Sequence, residues 1–263
     1  MSHGRVVVTG ASTGIGEATA RRLVDEGYDV VAVARRAGRL RELSRQIGCQ
    51  FFPADLTDQD RINELVAFLE KDGPINALVN VAGGAIGTDS VAEGNPEDWL
   101  TMYNMNVLAT LRLTQVLLPQ LRARGGDVVF ITSTAAHEPY KGGAGYTAAK
   151  HAELMIPQTL RLELVGEPVR VIEIAPGMVK TEEFSLRRLG TEEAAAQVYA
   201  GVDEPLLAED IADVVAWTLT RPRHVNIDSV IVRPVAQANS WTVARKEEAP
   251  PVKLPRTSLY EIE

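Results

Sequence analysis

Seven short, nearly unbroken apolar runs punctuate the chain: RVVVT (5–9), DVVAVA (29–34), CQFF (49–52), NALVNV (76–81), DVVFIT (127–132), VRVIEI (169–174) and DSVIVR (228–233). Runs of this length without polar alternation suit strands buried on both faces of a parallel sheet. Between them, apolar positions recur at helical spacing over 14–26, 37–47, 58–71, 97–124, 144–165 and 208–220. Strand–helix alternation with short links predicts an α/β fold: a doubly wound, mainly parallel seven-stranded sheet with helices on both faces and right-handed crossovers. Such a sheet binds ligands beyond the carboxyl ends of its strands, where the strand order reverses. The turns that follow the strands are therefore the place to look for chemistry.

The alternation sustains a single domain over residues 1–238, with no internal repeat. One segment interrupts it: residues 178–206, MVKTEEFSLRRLGTEEAAAQVYAGVDEPL, read as a substrate lid. Its Met178, Phe184, Leu186, Val198 and Tyr199 face a substrate or simply cover the core. Pro157 falls inside the 144–165 helix, where a proline removes a backbone bond and is expected to kink the chain. Residues 239–263 form a C-terminal extension of prolines and mixed charges that cannot make a core alone. It is either a mobile tail or a segment anchored on a neighbouring subunit through Trp241, Val252, Leu254 and Tyr260.

Composition narrows the field. Apolar residues make up 45%, and the net charge of −8 argues against a nucleic-acid or anionic-membrane surface. The opening MSHGRVVVTG lacks a secretory pattern and no apolar run approaches a membrane span, so a cytoplasmic protein is expected. The single cysteine, Cys49, excludes an internal disulfide and a cysteine zinc cluster, and the four histidines lack ligand spacing. No metal is expected. The partner to seek is a small molecule.

Directly after the first run comes TGASTGIG (Thr9–Gly16), leading into an amphipathic helix. Glycines at that junction let a pyrophosphate approach the backbone, and the helix start offers free N–H groups. Dinucleotide folds usually place an acid after the second strand to hold a ribose hydroxyl. Here VAVARRAGRL puts Arg35 and Arg36 there instead. Two guanidinium groups without a carboxylate suit a 2′-phosphate, so NADP(H) is expected over NAD(H). Further along, GYTAAKHAEL sets Tyr146 four residues before Lys150, one helical turn apart.

These features make the chain resemble the short-chain dehydrogenase/reductase family over residues 4 to about 235. TGASTGIG is similar to that family's TGxxxGxG loop. ADLTD supplies Asp55, NVAGG keeps Asn80 with Val81 replacing a second asparagine, and NMNVLAT supplies Asn106 with Ala109 where glycine is usual. ITSTA gives Ser133, thirteen positions before Tyr146, and APGMVKT holds Pro176 and Gly177. The resemblance implies a Rossmann-type fold and a catalytic set of Asn106, Ser133, Tyr146 and Lys150. It also implies cofactor contacts from Gly10, Ser12, Thr13, Gly14, Ile15, Gly16, Arg35, Arg36, Asp55, Leu56, Asn80, Ala82, Gly83, Tyr146, Lys150, Pro176, Gly177, Val179 and Thr181. A homo-oligomer, dimer or tetramer, is expected on the same ground.

The residue types fit reversible carbonyl reduction. Hydride arriving at a carbonyl carbon leaves charge on oxygen, which must take a proton. A free tyrosine releases its proton only near pH 10, and an ammonium one turn away favours the tyrosinate. Ser133 would steady the substrate oxygen. By family analogy, Lys150 would bind the nicotinamide ribose and Asn106 a relay water. EPYKGGAGYTAAK, TEEFSLRR and HVNIDSVIVRPV resemble NADP-dependent dehydrogenases of 3-hydroxy acids, including serine and allo-threonine; secondary-metabolite aldehyde and ketone reductases share similar C-termini. Arg187 or Arg188 would hold a carboxylate, against the plainer reading of solvated lid arginines. His137, Glu138 and Tyr140 are expected in the pocket wall. A non-catalytic NADP-binding regulator would not need all four catalytic residues. Epimerase chemistry by transient oxidation goes with a different glycine spacing and a longer substrate domain.

Overall fold

The computed structural model describes residues 3–246. Among these, nine strands occur: β1 (Arg5–Thr9), β2 (Asp29–Ala34), β3 (Gln50–Pro53), β4 (Ala77–Asn80), β5 (Gly126–Ile131), β6 (Val169–Pro176), β7 (Val179–Lys180), β8 (Leu206–Leu207) and β9 (Ser229–Val232). Seven form one all-parallel sheet in the order β3-β2-β1-β4-β5-β6-β9, while β7 and β8 pair as a separate ribbon. The order reverses between β1 and β4, and the cofactor loop leaves β1 at that point. The helices are α1 (Gly14–Asp25), α2 (Ala37–Ile47), α3 (Gln59–Leu69), α4 (Pro96–Tyr103), α5 (Ala109–Arg124), α6 (Ala144–Glu163), α7 (Phe184–Leu189), α8 (Glu192–Tyr199) and α9 (Ala208–Leu219).

Successive strand residues point to opposite faces, which is why the central runs are apolar throughout. Val6, Val8, Ala32, Val79 and Val129 pack with α1, α2 and α9 through Leu23, Leu40, Ile211 and Val215. Val7, Val31, Leu78, Val128 and Phe130 pack with α3, α5 and α6 through Ile62, Leu65, Leu113, Leu117 and Leu160. Each such large side chain contributes about 1.5–3 kcal/mol by leaving water. The edge strands β3 and β9 depart from the expected double burial, because each lacks a neighbour on one side and stays partly exposed.

Three further expectations change. The 97–124 pattern is not one helix: a π-helical turn, Asn104–Leu108, separates α4 from α5. A π turn wedges in one extra residue per turn, and such turns recur at functional sites. The 58–71 helix stops at Leu69 and tightens into a 3-10 turn over Glu70–Asp72. Pro157 does not interrupt α6, which runs on through it with Leu154, Pro157 and Leu160 all buried. The proline removes the N–H that would bond the Glu153 carbonyl, but packing on both sides of the lost bond holds the helix together.

The amino ends of the strands carry two buried arginines. Arg5 donates to the Leu69 carbonyl at 2.7 Å, the Gly73 carbonyl at 3.0 Å and Gln50 Oε1 at 2.8 Å. Arg170 grips Asp127 with two bonds of 2.6 and 2.9 Å and donates to the Leu219 carbonyl at 2.8 Å. Arg223 reaches Asp127 as well, at 2.7 Å. Leu69 and Leu219 end α3 and α9, so the guanidinium groups satisfy carbonyls that a helix end leaves unpaired.

Candidate active site

The loop between β1 and α1 is shaped by glycine. Gly10 and Gly14 have φ of +65° and +53°, which L side chains rarely adopt. Gly16 is demanded by proximity instead: a Cβ there would lie 2.3 Å from the Gly10 carbonyl oxygen. Thr9 Oγ1 accepts from the backbone N–H of Val81 (2.8 Å) and Ala82 (2.9 Å), tying the loop to the end of β4. Ile15 packs inward beneath the loop. The hydroxyls of Thr13 and Thr181 are buried with no hydrogen-bond partner. Thr181 presses on the loop, since a Cβ on Gly14 would lie 3.2 Å from its methyl carbon. Two orphaned hydroxyls beside the free N–H groups of a helix start fit a phosphate-bearing dinucleotide.

Beyond β2, Arg35 is exposed and makes no hydrogen bond or ion pair among the described residues. Arg36 instead folds back, donating from Nη2 to Ser12 Oγ at 3.0 Å and from Nη1 to Glu183 at 2.5 Å. Glu183 also meets Arg187 at 2.7 Å and Arg39 at 3.4 Å. Burial works against the Glu183 charge, but Arg36, Arg187 and Arg39 outweigh it and hold the carboxyl below the ordinary range. Asp55 accepts from the Thr57 N–H (3.0 Å) and hydroxyl (2.7 Å). Burial again opposes its charge, and those bonds with Arg35 nearby carry it below the usual carboxylate value. Leu56 and Asn80 are buried, Asn80 bonding Thr114 at 3.3 Å, and Gly83 lies exposed on the loop after β4.

Ser133 caps the turn after β5, and the first turns of α6, which carry Tyr146 and Lys150, pack on that turn through Ala135 and Ala149. Lys150 Nζ lies 6.0 Å from the centre of the Tyr146 ring and donates to the Ile131 carbonyl at 3.2 Å. The Tyr146 hydroxyl makes no hydrogen bond among the described residues, and Ser133 Oγ accepts from the Ala135 N–H at 3.1 Å. Asn106 sits in the π turn, fully buried. Its amide donates to the Met102 carbonyl (2.7 Å) and the Gly84 carbonyl (2.9 Å), and its Oδ1 accepts from the Gly84 N–H (3.1 Å). These are the bonds of a helix-interior asparagine bracing a loop. A Cβ on Gly83 would fall 2.5 Å from that Oδ1 and 3.6 Å from Lys150 Nζ.

Pro176 ends β6, and a Cβ on Gly177 would have to push aside the Gln237 side chain, whose Oε1 would lie 2.3 Å away. Gln237 Oε1 accepts from the Met178 N–H at 2.8 Å, and Val179 starts the ribbon. Within 178–206, α7 and α8 form a helical pair, and α7 brings Phe184 and Arg188 against Tyr146. Phe184 meets the Tyr146 ring edge-on at 5.8 Å between centroids. Arg188 is not a solvated arginine. It donates to the Gly87 carbonyl (3.0 Å), the Tyr140 hydroxyl (2.7 Å) and the Gly142 carbonyl (2.9 Å), and its guanidinium lies 5.7 Å from the Tyr146 ring. Arg187 is the half-exposed member of the pair. Ile86, Trp99, Met102, Tyr146 and Arg188 line a cleft here.

His137 pairs with Glu173 at 2.8 Å. Glu138 meets Arg233 at 2.9 Å and accepts from Ser240. Residues 236–244 double back as a short hairpin. Arg245 donates to the Val198 carbonyl at 3.0 Å, so the described part of the extension docks on this chain's own lid. Trp241, 63% exposed, is not an anchor within the chain; Val252, Leu254 and Tyr260 lie outside the described residues. Sequence reasoning missed Glu153, Glu173, Glu183 and Gln237. Glu153 alone had a signal, its spacing three residues beyond Lys150. No group of three or more His, Cys, Asp or Glu able to hold a metal occurs among the described residues, and no helix there is long and apolar enough to cross a membrane.

The family model for short chain dehydrogenase matches residues 5–190. An uncharacterized oxidoreductase of Mycobacterium tuberculosis is 52% identical over 236 residues, covering 89% of this chain and 92% of that protein. Serine 3-dehydrogenase of Agrobacterium fabrum is 41% identical over 239 residues, covering 89% and 95%. Among solved structures, the closed form of serine dehydrogenase complexed with NADP+ superposes with a TM-score of 0.85 at 34% identity, covering 92% of this chain and all of that one. With a family match across most of its length and relatives at this identity, the chain belongs to the short chain dehydrogenase family.

Proposed function

We propose that this enzyme interconverts a carbonyl and an alcohol with NADP(H), and that its substrates are small 3-hydroxy acids of the serine type. The observation that carries the reading is Tyr146, with its hydroxyl unengaged, between a buried lysine and a lid phenylalanine. Bound NADPH supplies the hydride. In the reducing direction Tyr146 gives its hydroxyl proton to the substrate oxygen, and in the oxidising direction it takes that proton back. Ser133 donates a hydrogen bond to the same oxygen as negative charge develops there. Lys150 keeps a positive charge beside the tyrosine, and Asn106 braces the Gly83–Gly84 loop against it.

The cofactor reading is supported by the orphaned Thr13 and Thr181 hydroxyls and by the absence of an acid after β2. The similar serine dehydrogenase solved in complex with NADP+ agrees with it. Arg188 beside Tyr146 supports an anionic substrate, since a guanidinium there favours a carboxylate. A homo-oligomer in the cytoplasm completes the proposal. The exposed apolar residues Leu162 and Val165 near the end of α6, Trp217 on α9 and Ile231 on β9 support association of copies.

The test is Tyr146→Phe. Turnover of L-serine and other 3-hydroxy acids with NADP+ should disappear while NADPH binding stays within about threefold of the parent, because the hydroxyl serves proton transfer alone. Substantial residual turnover would assign the proton to another group. Failure of every 3-hydroxy acid beside good turnover of neutral aldehydes or ketones would overturn the substrate class.

A further inference from the structure

Lys150 has a partner that the four-residue catalytic set leaves out. Glu153, three residues further along α6, brings Oε2 to 2.6 Å from Lys150 Nζ, with the side chains 1% and 5% exposed. The contact is an ion pair outside hydrogen-bonding geometry, and that oxygen has no hydrogen-bond partner. The groups facing the pair come from four other places. Glu173 on β6 is buried and receives the Thr132 hydroxyl (2.6 Å), His137 (2.8 Å) and Ser229. The end of β5 offers the Ile131 carbonyl, the π turn the neutral Asn106, and the lid Arg188 over the Tyr146 ring.

Burial opposes the ammonium of Lys150, but Glu153 and then Tyr146 lift its pKa above the ordinary lysine value. Burial also lifts the Glu153 carboxyl, against the pull of Lys150. A neutral carboxylic acid here would leave a buried ammonium with no counter-charge in contact, a costly arrangement.

We propose that Glu153 is a positioning residue, an ionised carboxylate that holds Lys150 in place and offsets its charge, and so sets the pH at which Tyr146 exchanges its proton. The inference rests on the reading of Tyr146 as the proton donor and acceptor. Its sign follows from the negative charge that Glu153 carries. If Glu153 loses its charge, the buried site holds one positive charge in excess. Release of a proton, from Tyr146 or from Lys150, then becomes easier. The Tyr146–Lys150 pair therefore deprotonates at lower pH.

The experiment is an ultraviolet titration of tyrosinate in the NADP+ complex, taken as the difference between each protein and its Tyr146→Phe counterpart. It needs no substrate, so a failure of the substrate reading leaves it intact. A failure of Tyr146 as acid/base shows separately, as turnover retained in Tyr146→Phe. Glu153→Gln should lower the midpoint by about one pH unit or more, and Glu153→Asp should stay closer to the parent than to Gln. A packing role would leave the midpoint where it was, since Gln keeps the shape. An unchanged or raised midpoint in Glu153→Gln, or Asp behaving as Gln, overturns the proposal. Should Glu153→Gln fail to fold, carbon-13 carboxyl resonances of the parent decide: an ionised Glu153 at about pH 7 supports it, and a neutral acid overturns it.

Discussion

Two glycine-to-alanine substitutions, chemically identical, should move this protein in opposite directions. In Gly16→Ala the added carbon would meet Gly10 O at 2.3 Å, Gly10 C at 2.5 Å and Thr9 O at 2.9 Å, all backbone atoms. An ordinary contact needs about 3.5–4.0 Å, so something must yield by roughly 1 Å. Thr9 is held in the β1 ladder, and Gly10 is pinned by its positive φ and by Ala82 behind it. Only α1 can move, and it is packed against α9 through Ala18, Ala208 and Ala212. Overpacking of this kind costs about 1–3 kcal/mol, from which alanine's helix preference returns about 1. The net loss of up to about 2 kcal/mol should lower the melting temperature by up to several degrees. Displacing the N–H groups of the loop should weaken NADPH binding by about tenfold, roughly 1.4 kcal/mol. Gly38→Ala, in α2, meets nothing within 4 Å and has no positive φ, so it should gain about 0.5–1 kcal/mol and leave binding untouched. Thermal unfolding and calorimetric NADPH titration of the pair decide the matter. Parent-like stability and affinity in Gly16→Ala would refute the reasoning.

The other predictions address separate regions. Arg35→Asp should level or reverse a preference for NADPH over NADH, measured as the ratio of dissociation constants; equal affinities in the parent would remove the cofactor argument. Asp127→Asn leaves Arg170 buried beside a neutral amide and should cost about 3–5 kcal/mol in denaturant unfolding. NADPH affinity should hold there because the site is at the other end of the sheet, and a loss below about 1 kcal/mol would sink that account. Because Glu183 is held low by Arg36, Arg187 and Arg39, its stabilisation is complete above the unfolded carboxylate value of about 4.3 and fades as pH falls through the lower folded one. Limited proteolysis within 182–200 should therefore be slow at neutral pH, quicken on acidification, and be fast at every pH in Glu183→Gln. Parent and variant cutting alike at neutral pH would count against a holding role for Glu183.

The legible parts of this protein are those written in local pattern. Central strands show as double-faced apolar runs, and TGASTGIG declares a turn that must admit a phosphate. Ser133, Tyr146 and Lys150 keep their spacing because a strand end and a helix start fix it. What escaped was set by contacts distant in sequence. NMNVLAT contains nothing that breaks a helix, so the π turn at Asn106 leaves no mark. Arg188 reads as a surface arginine until the Gly87 carbonyl, 101 residues away, is beneath it. The extension reads as a mobile tail or an anchor on a neighbouring subunit, whereas its described part docks through Arg245 on the backbone carbonyls of Val198 and Ala200, which no side-chain pattern records. Glu153 was in plain sight, but its burial is a property of how α6 lies on the sheet.

Arg5 and Arg170 give the sheet a fixed end. They rivet the closing turns of α3 and α9 to the amino ends of β1 and β6, while every residue assigned to the site stands at the carboxyl ends or in the lid. The molecule is thus a cantilever, clamped at one edge and free at the other. Amide exchange should be slowest around the clamp and fastest in α7 and α8. With the clamp at the opposite edge, new lids, and with them new substrates, can be tried at the rim without loosening the frame that carries them.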